Sequence, residues 1–360
     1  MNSKPTILIV IDNFGKGGAE MLLVGIMPVL QQKYKVVLVI LKDEFDFSKE
    51  QLGDAEVIRM YVKSKFSYLA AVFKLKKIIY KYRPSLIHAH LVYSSFVARI
   101  AAPAKIPLIF SVHNEIGTHV FKANKLYSIL ESLTIRSSQI LVAVSQTALN
   151  DYLSHVNFKG KTYVLHNYIE DIFLEHTTSN TPGNISRPLK MLSIGNIKEQ
   201  KNYPFLVKAF DLLKGEPVVI DVYGKKDTVI YPELSRAVKL HGLPIVFKGQ
   251  GTNIMELLQQ YDLFVMCSKY EGFGIAIVEA MAAGLPVMIS DLEVLKEVAG
   301  EDAIYFNAND PSDFAEKTRL ILNDKIDLTD LVITGRKRSL MFSKQEYIQK
   351  LFQIYADAIK

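Results

Sequence analysis

Only one cysteine, Cys267, occurs in the chain, so no disulfide framework can form and a reducing compartment fits. It sits in the apolar run 261–268, where a buried structural thiol is expected. Long hydrophobic runs are also missing. Residues 1–5 lead into the short apolar segment 7–11, which is too brief for a secretory core with a cleavage site or for a membrane span. The expectation is a soluble chain that is not exported. Glycine and proline are not enriched and no repeat or low-complexity tract is present, which sets aside fibrous and disordered classes. No P-loop, nucleophile elbow or zinc signature occurs. His88 and His90 share one face of a strand by the two-residue period, but no Asp, Glu or Cys at ligand spacing accompanies them, so no metal site is expected.

What is present points to an ordinary globular protein of two domains. The 360 residues exceed what one hydrophobic core usually serves, and 49% are apolar against 22% charged. The net charge of +6 is uneven: residues 1–180 carry 21 Lys and Arg against 14 Asp and Glu, and the remainder 22 against 23. The basic excess belongs to the N-terminal half. It suits an anionic partner there, whether a membrane surface, a lipid-phosphate acceptor or nucleic acid, or else a merely solubilising surface. Residues 67–83 interleave Leu69, Val72, Phe73, Leu75, Ile78 and Ile79 with Lys74, Lys76, Lys77 and Lys81. That pattern fits an interfacial amphipathic helix or a packed helix with a solvated lysine face.

Apolar runs at 7–11, 36–41, 86–90, 108–112, 140–144 and 162–165 alternate with longer amphipathic stretches, and a second series follows at 190–194, 218–223, 245–248, 263–267, 286–290 and 303–306. Such alternation predicts βαβ units around parallel sheets. The polar segment 175–188 reads as an interdomain linker, with the boundary near residue 185. The fold expected is α/β, with two Rossmann-like domains facing across a deep cleft: residues 1–180 plus a returning helix at 345–360, and residues 186–344. Ligands of such sheets bind beyond the carboxyl ends of the strands.

Three segments carry candidate chemistry. The first strand is followed by Gly15-Lys16-Gly17-Gly18-Ala19-Glu20, whose adjacent glycines allow close approach of an anion to a helix start, or simply make a tight turn. After the run 263–267 comes Glu271-Gly272-Phe273-Gly274-Ile275-Ala276-Ile277-Val278-Glu279, two carboxylates about two helical turns apart. Amides near Phe273, Gly274 and Ile275 would hold a diphosphate, with Glu279 accepting from ribose hydroxyls; otherwise Glu271 complements the helix dipole and Glu279 is solvated. The third, Gly195-Asn196-Ile197-Lys198-Glu199-Gln200-Lys201, would bring an ammonium beside the same diphosphate, or leave an exposed loop lysine. His113 closes the strand 108–112, where it serves a sugar hydroxyl or is a satisfied core histidine.

Taken in order with Leu165-His166-Asn167-Tyr168-Ile169-Glu170 and the run that follows Glu279 to Val287, these motifs resemble the retaining glycosyltransferases of family 4, which have the GT-B fold. The resemblance implies that Gly17 and Gly18 approach the donor phosphates and that His113 meets the donor sugar. It makes Lys201 the diphosphate's counter-charge, with Gly195 and Asn196 in its loop, and gives Glu271 the transferred sugar and Glu279 the ribose. Tyr223, Gly224 and Lys225, with Phe247, Lys248 and Gly249, would lie against the nucleobase, and Gly272, Phe273, Gly274 and Ile275 would supply the amide-rich turn. The family usually has arginine where this sequence has Asn196, which removes a bidentate phosphate contact.

The activity so implied is metal-independent, retaining transfer from a UDP- or GDP-sugar to a glycan or lipid-linked acceptor, in cell-surface polysaccharide or glycoconjugate synthesis. No cofactor is expected beyond that substrate. The protein would be cytoplasmic, peripheral on the inner face of the cell membrane through its basic N-terminal domain, and without nucleic acid as a partner. A nucleotide-sugar epimerase on the same scaffold, or a non-catalytic nucleotide-sugar-binding subunit marked by Asn196, are the alternatives, with an NAD enzyme more distant.

Overall fold

A computed structural model describes residues 4–64, 67–175, 186–251 and 253–360. The chain forms two compact units, residues 1–167 with 345–360 and residues 168–344. Each has its own buried apolar core.

Unit 1 holds a seven-stranded parallel sheet: β1 (Thr6–Ile11), β2 (Lys35–Ile40), β3 (Glu56–Arg59), β4 (Leu86–His90), β5 (Leu108–Val112), β6 (Ile140–Ala143) and β7 (Lys161–Val164), in the order β3-β2-β1-β4-β5-β6-β7. The central strands β4 and β5 are buried at every position because helices cover both faces of a parallel sheet. Ile7, Leu8, Ile9, Val10 and Ile11 are all fully buried, each such side chain contributing roughly 1.5–3 kcal/mol. β3 has no counterpart among the expected strands, since its Glu-Val-Ile-Arg is half-buried and charged at both ends, as an edge strand is. The order reverses between β1 and β4, which makes that junction the topological switch point. The C-terminal helix Lys344–Ile359 packs here through buried Leu351, Ile354 and Tyr355, with the Tyr355 hydroxyl 2.8 Å from Nδ1 of His88.

Unit 2 repeats the pattern with β8 (Leu189–Ile194), β9 (Val218–Tyr223), β10 (Ile245–Gly249), β11 (Leu263–Met266), β12 (Val287–Ser290) and β13 (Ile304–Phe306), in the order β10-β9-β8-β11-β12-β13. The units divide at Asn167, ahead of the boundary near 185 that composition suggests. Tyr168 and Ile169 are already buried in unit 2, where the Ile169 amide donates to the Phe342 carbonyl (3.0 Å) and Lys344 pairs with Glu170 (2.8 Å). A local count of polar residues cannot see such long-range anchoring. Most of the linker-like segment, residues 176–185, lies outside the described residues.

Candidate functional site

The loop after β8 and the loop after β11 meet at the carboxyl ends of two adjacent strands. A Cβ on Gly195 would lie 2.8 Å from Cε and 3.1 Å from Cδ of Lys201, so its absence leaves room for the lysine stem in this position. The Tyr203 hydroxyl donates to the Gly195 carbonyl (2.9 Å), and the Cys267 thiol, pushed up to about 12 by burial, donates to the Lys201 carbonyl (3.1 Å). Held this way, Lys201 Nζ reaches Oε1 of Glu271 at 2.6 Å. Glu271 also accepts from the Ser268 hydroxyl (2.6 Å) and from Gln200 (3.4 Å), while Gln200 binds the Tyr270 carbonyl (3.1 Å). A largely buried ion pair with extra hydrogen bonds is held firmly and is costly to break from one side.

Glu271 opens the turn into the helix Ile275–Ala282. Gly274, at φ +89°, adopts the left-handed conformation that favours glycine, and no side chain caps the helix it starts. The Phe273 ring is buried edge-on against Phe342 at 5.3 Å, so what this residue offers a ligand is backbone. An uncapped helix start beside Lys201 makes the positive pole of unit 2. Two turns along, Glu279 is half-buried, and its carboxyl is pushed up to about 7 by burial, with the Glu170 charge as a lesser cause.

The neighbouring ends of β9 and β10 close tightly on this loop. A Cβ on Gly224 would collide with the Gly195 carbonyl. Asn196 Oδ1 accepts from the Lys225 amide (3.1 Å), so the residue standing where arginine is usual acts as a clasp between loops. Gly249, at φ +95°, lets its carbonyl accept from the Gly224 amide (2.7 Å). Phe247 packs edge-on to Tyr203 and Tyr231, and Lys248 pairs with Asp221 (3.3 Å), which also accepts from Tyr261. Phe247 and Lys248 are thus anchored within unit 2, next to Tyr223, Gly224 and Lys225 at the same strand ends.

Gly17, Gly18 and His113 belong to unit 1. Gly17 precedes and Gly18 begins the helix Gly18–Lys33, which has no side-chain cap. His113 Nε2 lies 3.2 Å from Nδ1 of His90, whose ring is 4.0 Å from that of His88; His88 Nε2 in turn lies 2.8 Å from the Ser111 hydroxyl. Burial pushes His88 down to about 3 and His113 to about 4, and lowers His90 as well. All three are neutral near pH 7 and act as hydrogen-bonding groups. Among the described residues no group of three or more His, Cys, Asp or Glu is arranged to hold a metal ion.

Sequence reading passed over Ser268 and Gln200, which flank the Lys201–Glu271 pair, and Asp12. Directly after β1, the Asp12 carboxylate accepts from the amides of Ser94 (2.5 Å) and Tyr93 (3.3 Å), capping the helix Val92–Ala101. The Ser-x-x-Glu spacing of 268–271 was a usable signal. Asp12 had none, because its partners lie some eighty residues away.

Two family models match in succession: the one described as Glycosyltransferase Family 4 over residues 16–171, and the one described as Glycosyl transferases group 1 over residues 177–338. The chain is 23% identical over 363 aligned residues to the N,N'-diacetylbacillosaminyl-diphospho-undecaprenol alpha-1,3-N-acetylgalactosaminyltransferase of Campylobacter jejuni, covering 93% of this chain and 95% of that protein. Its fold is similar to sucrose-phosphate synthase of Thermosynechococcus elongatus, with a TM-score of 0.82 at 18% identity and 98% coverage of each chain. It is also similar to HepE of Anabaena in complex with UDP and glucose, with a TM-score of 0.81 at 19% identity, covering 98% of this chain and 99% of that one. The chain thus belongs to the glycosyltransferases of the family 4 type, with the GT-B fold.

Proposed function

We propose that this glycosyltransferase moves a sugar from a UDP- or GDP-linked donor to a glycan or lipid-linked glycan, with retention at the anomeric carbon and without a metal ion. The observation that carries the reading is the Lys201–Glu271 pair at 2.6 Å beside an uncapped helix start. As the bond from the anomeric carbon to the diphosphate oxygen breaks, negative charge grows on the phosphate. Lys201 and the helix amides are preorganised to receive it, with Gly195, Asn196, Gly272, Phe273, Gly274 and Ile275 shaping the turn. Glu271 takes hydroxyls of the transferred sugar, and Glu279 takes the ribose. The acceptor oxygen bonds to the same face of the anomeric carbon and gives its proton to the departing phosphate, which supplies the base. No cofactor beyond the donor takes part. Gly17, Gly18 and His113 are unit 1's contributions, His113 as a neutral partner for the donor sugar.

The relatives support this reading in kind: the Campylobacter jejuni protein is named for a diphospho-undecaprenol-linked acceptor, and HepE was solved with UDP and glucose. Initial rates of Lys201→Ala and Glu271→Ala test it, and near-normal transfer in both would remove the site. Incubating donor without acceptor separates transfer from epimerisation, since only an epimerase converts the sugar.

We further propose that unit 1 meets an anionic membrane surface. Residues 67–138 hold ten Lys and Arg but two carboxylates, Glu115 and Glu131. Glu131 is buried in an ion pair with Arg99 (2.7 Å). Helices Ser67–Tyr82, Val92–Ala101 and Lys125–Thr134 pack side by side in that order. Leu126, Ile129, Leu130 and Leu133, 37 to 76% exposed, form an outward apolar stripe on the last of them, flanked by Lys122 and Lys125. No helix among the described residues is long and apolar enough to cross a membrane.

A further inference from the structure

His90 ends β4 and His113 follows β5, the strand paired with it, so both rings stand at the carboxyl edge of the unit 1 sheet. Nδ1 of His90 lies 3.2 Å from Nε2 of His113. Burial lowers both groups, so each ring is neutral near pH 7 and carries a single N–H. One ring must donate across this contact and the other accept, and the choice fixes which nitrogen is protonated in both.

The far side of His90 decides between them. The residue is 2% exposed, and its Nε2 is buried without a hydrogen-bond partner among the described residues. Were His113 the donor, His90 would carry its proton on Nε2 and bury an N–H with nothing to receive it. With His90 as donor from Nδ1, Nε2 is a bare ring nitrogen. Orphaned buried N–H groups are rarer in folded proteins than under-used acceptors, which favours the second arrangement. The ring is also held in place. His88 packs against it with ring centres 4.0 Å apart, and His88 is fixed in turn at Nδ1 by the Tyr355 hydroxyl of the returning helix and at Nε2 by the Ser111 hydroxyl, each at 2.8 Å. His113 therefore accepts at Nε2 and keeps its proton on Nδ1, which has no partner among the described residues.

We propose that His90 is a positioning residue: it locks His113 as the Nδ1–H tautomer, so that His113 meets the transferred sugar only as a hydrogen-bond donor. The inference rests on the proposed contact of His113 with that sugar and adds the direction of the bond. The group received there must offer a lone pair, as a hydroxyl or an acetamido carbonyl does. A protonated amino sugar has none at its nitrogen and is rejected at this position.

The test uses the full chain, isotopically labelled at its histidine nitrogens. Long-range proton–nitrogen NMR spectra show which nitrogen of each imidazole holds the proton, and the signal lost in His113→Ala identifies His113. The parent should show Nδ1–H at His113. His90→Phe keeps a ring against His88 but has no N–H to give, so His113 should pass into a mixture of tautomers. Binding is then measured by calorimetry for UDP-glucose, UDP-N-acetylglucosamine and GDP-mannose, with UDP and GDP as controls. For whichever sugar nucleotide the parent binds more tightly than its free nucleotide, Kd should rise in His90→Phe by the reciprocal of the Nδ1–H fraction, about fivefold when that fraction is about one-fifth, while UDP and GDP affinities hold. An Nε2–H His113 in the parent overturns the inference, with no variant needed. So does an unchanged tautomer in His90→Phe, or an unchanged sugar-nucleotide Kd in that variant when His113→Ala weakens it. Unchanged affinity in His113→Ala would instead remove His113 from the proposed function, and the spectra would still decide the lock.

Discussion

Both units arrange their first six strands in one order, yet in one a carboxylate and in the other a lysine reaches from the loop after the first strand to the segment after the fourth. In unit 1 the first strand is followed at once by Asp12, which reaches across the switch point and caps the helix after the fourth strand. In unit 2 the first strand leads to Lys201, and the helix after the fourth strand, Ile275–Ala282, has no side-chain cap. Asp12 fills one helix start, whereas the other has no side-chain cap and follows the carboxylate that Lys201 pairs with. The scaffold provides a crevice, and the loops at its strand ends set the chemistry offered there.

Lys201→Ala should break this contrast most sharply. Removing a preorganised positive group at the departing phosphate costs on the order of a hundredfold or more in kcat, and leaving the largely buried Glu271 without its counter-charge should also lower the melting temperature, even with Ser268 and Gln200 still hydrogen-bonded to it. Rates and thermal unfolding measured on one preparation check both halves. A large drop in melting temperature with intact transfer would show that the pair serves the fold.

Glu279 sharpens the picture through pH. Burial lifts its carboxyl from 4.5 to about 7, so the folded chain keeps a proton that the unfolded chain has released. Its contribution to stability therefore falls as pH rises from about 4.5 to 7 and is flat above that. Ionisation improves it as an acceptor for ribose, so affinity for UDP or GDP should strengthen as pH rises through 7. Glu279→Gln should abolish both slopes and raise the donor KM about tenfold, near 1.4 kcal/mol. Calorimetry at pH 6 and 8 checks this, and identical pH profiles for parent and variant would refute it.

Asp12→Ala contrasts with Lys201→Ala at the donor. Losing a helix cap costs about 0.5–2 kcal/mol, typically near 1, and here it also leaves the amides of Tyr93 and Ser94 unpaired in a buried setting. Chemical unfolding should report that loss while the donor KM holds. A variant that is as stable as the parent but weak for donor would erase the distinction between the two crevices.

What could be read beforehand depended on how far each signal reached along the chain. Strands such as β4 and β9 announce themselves, the first as a short run buried at every position and the second as a β-branched run alternating between buried and half-buried residues. β3 escaped because an edge strand needs few apolar residues. Glycines in the loops at 195 and 274 marked places of close approach and unusual backbone, which proved to hold the lysine stem and the left-handed turn. Asn196 was legible as a departure but not as a clasp, since its partner, the Lys225 amide, is 29 residues on. Asp12 and Ser94, 82 residues apart, and Lys201 and Glu271, 70 apart, are likewise joined over distances at which local patterning carries no trace of the pair.

The units differ also in their outer surfaces, and that difference predicts the smallest effect. Unit 1 combines cations with the stripe Leu126, Ile129, Leu130 and Leu133, on a helix tied inward by the buried Arg99–Glu131 pair. Unit 2 exposes isolated apolar residues such as Leu240, on a helix that also carries Glu233. In sedimentation with phosphatidylglycerol-containing vesicles, the parent chain should bind at low salt and less at high salt, since surface charges are screened within about 10 Å at 0.1 M. Leu126→Ser with Leu133→Ser should weaken binding several-fold without unfolding the helix, because both side chains point outward and Glu131 stays paired. Leu240→Ser should change nothing. Equal losses from both substitutions would mean that apolar exposure alone drives adsorption, and no binding at low salt would remove the membrane from the account of unit 1.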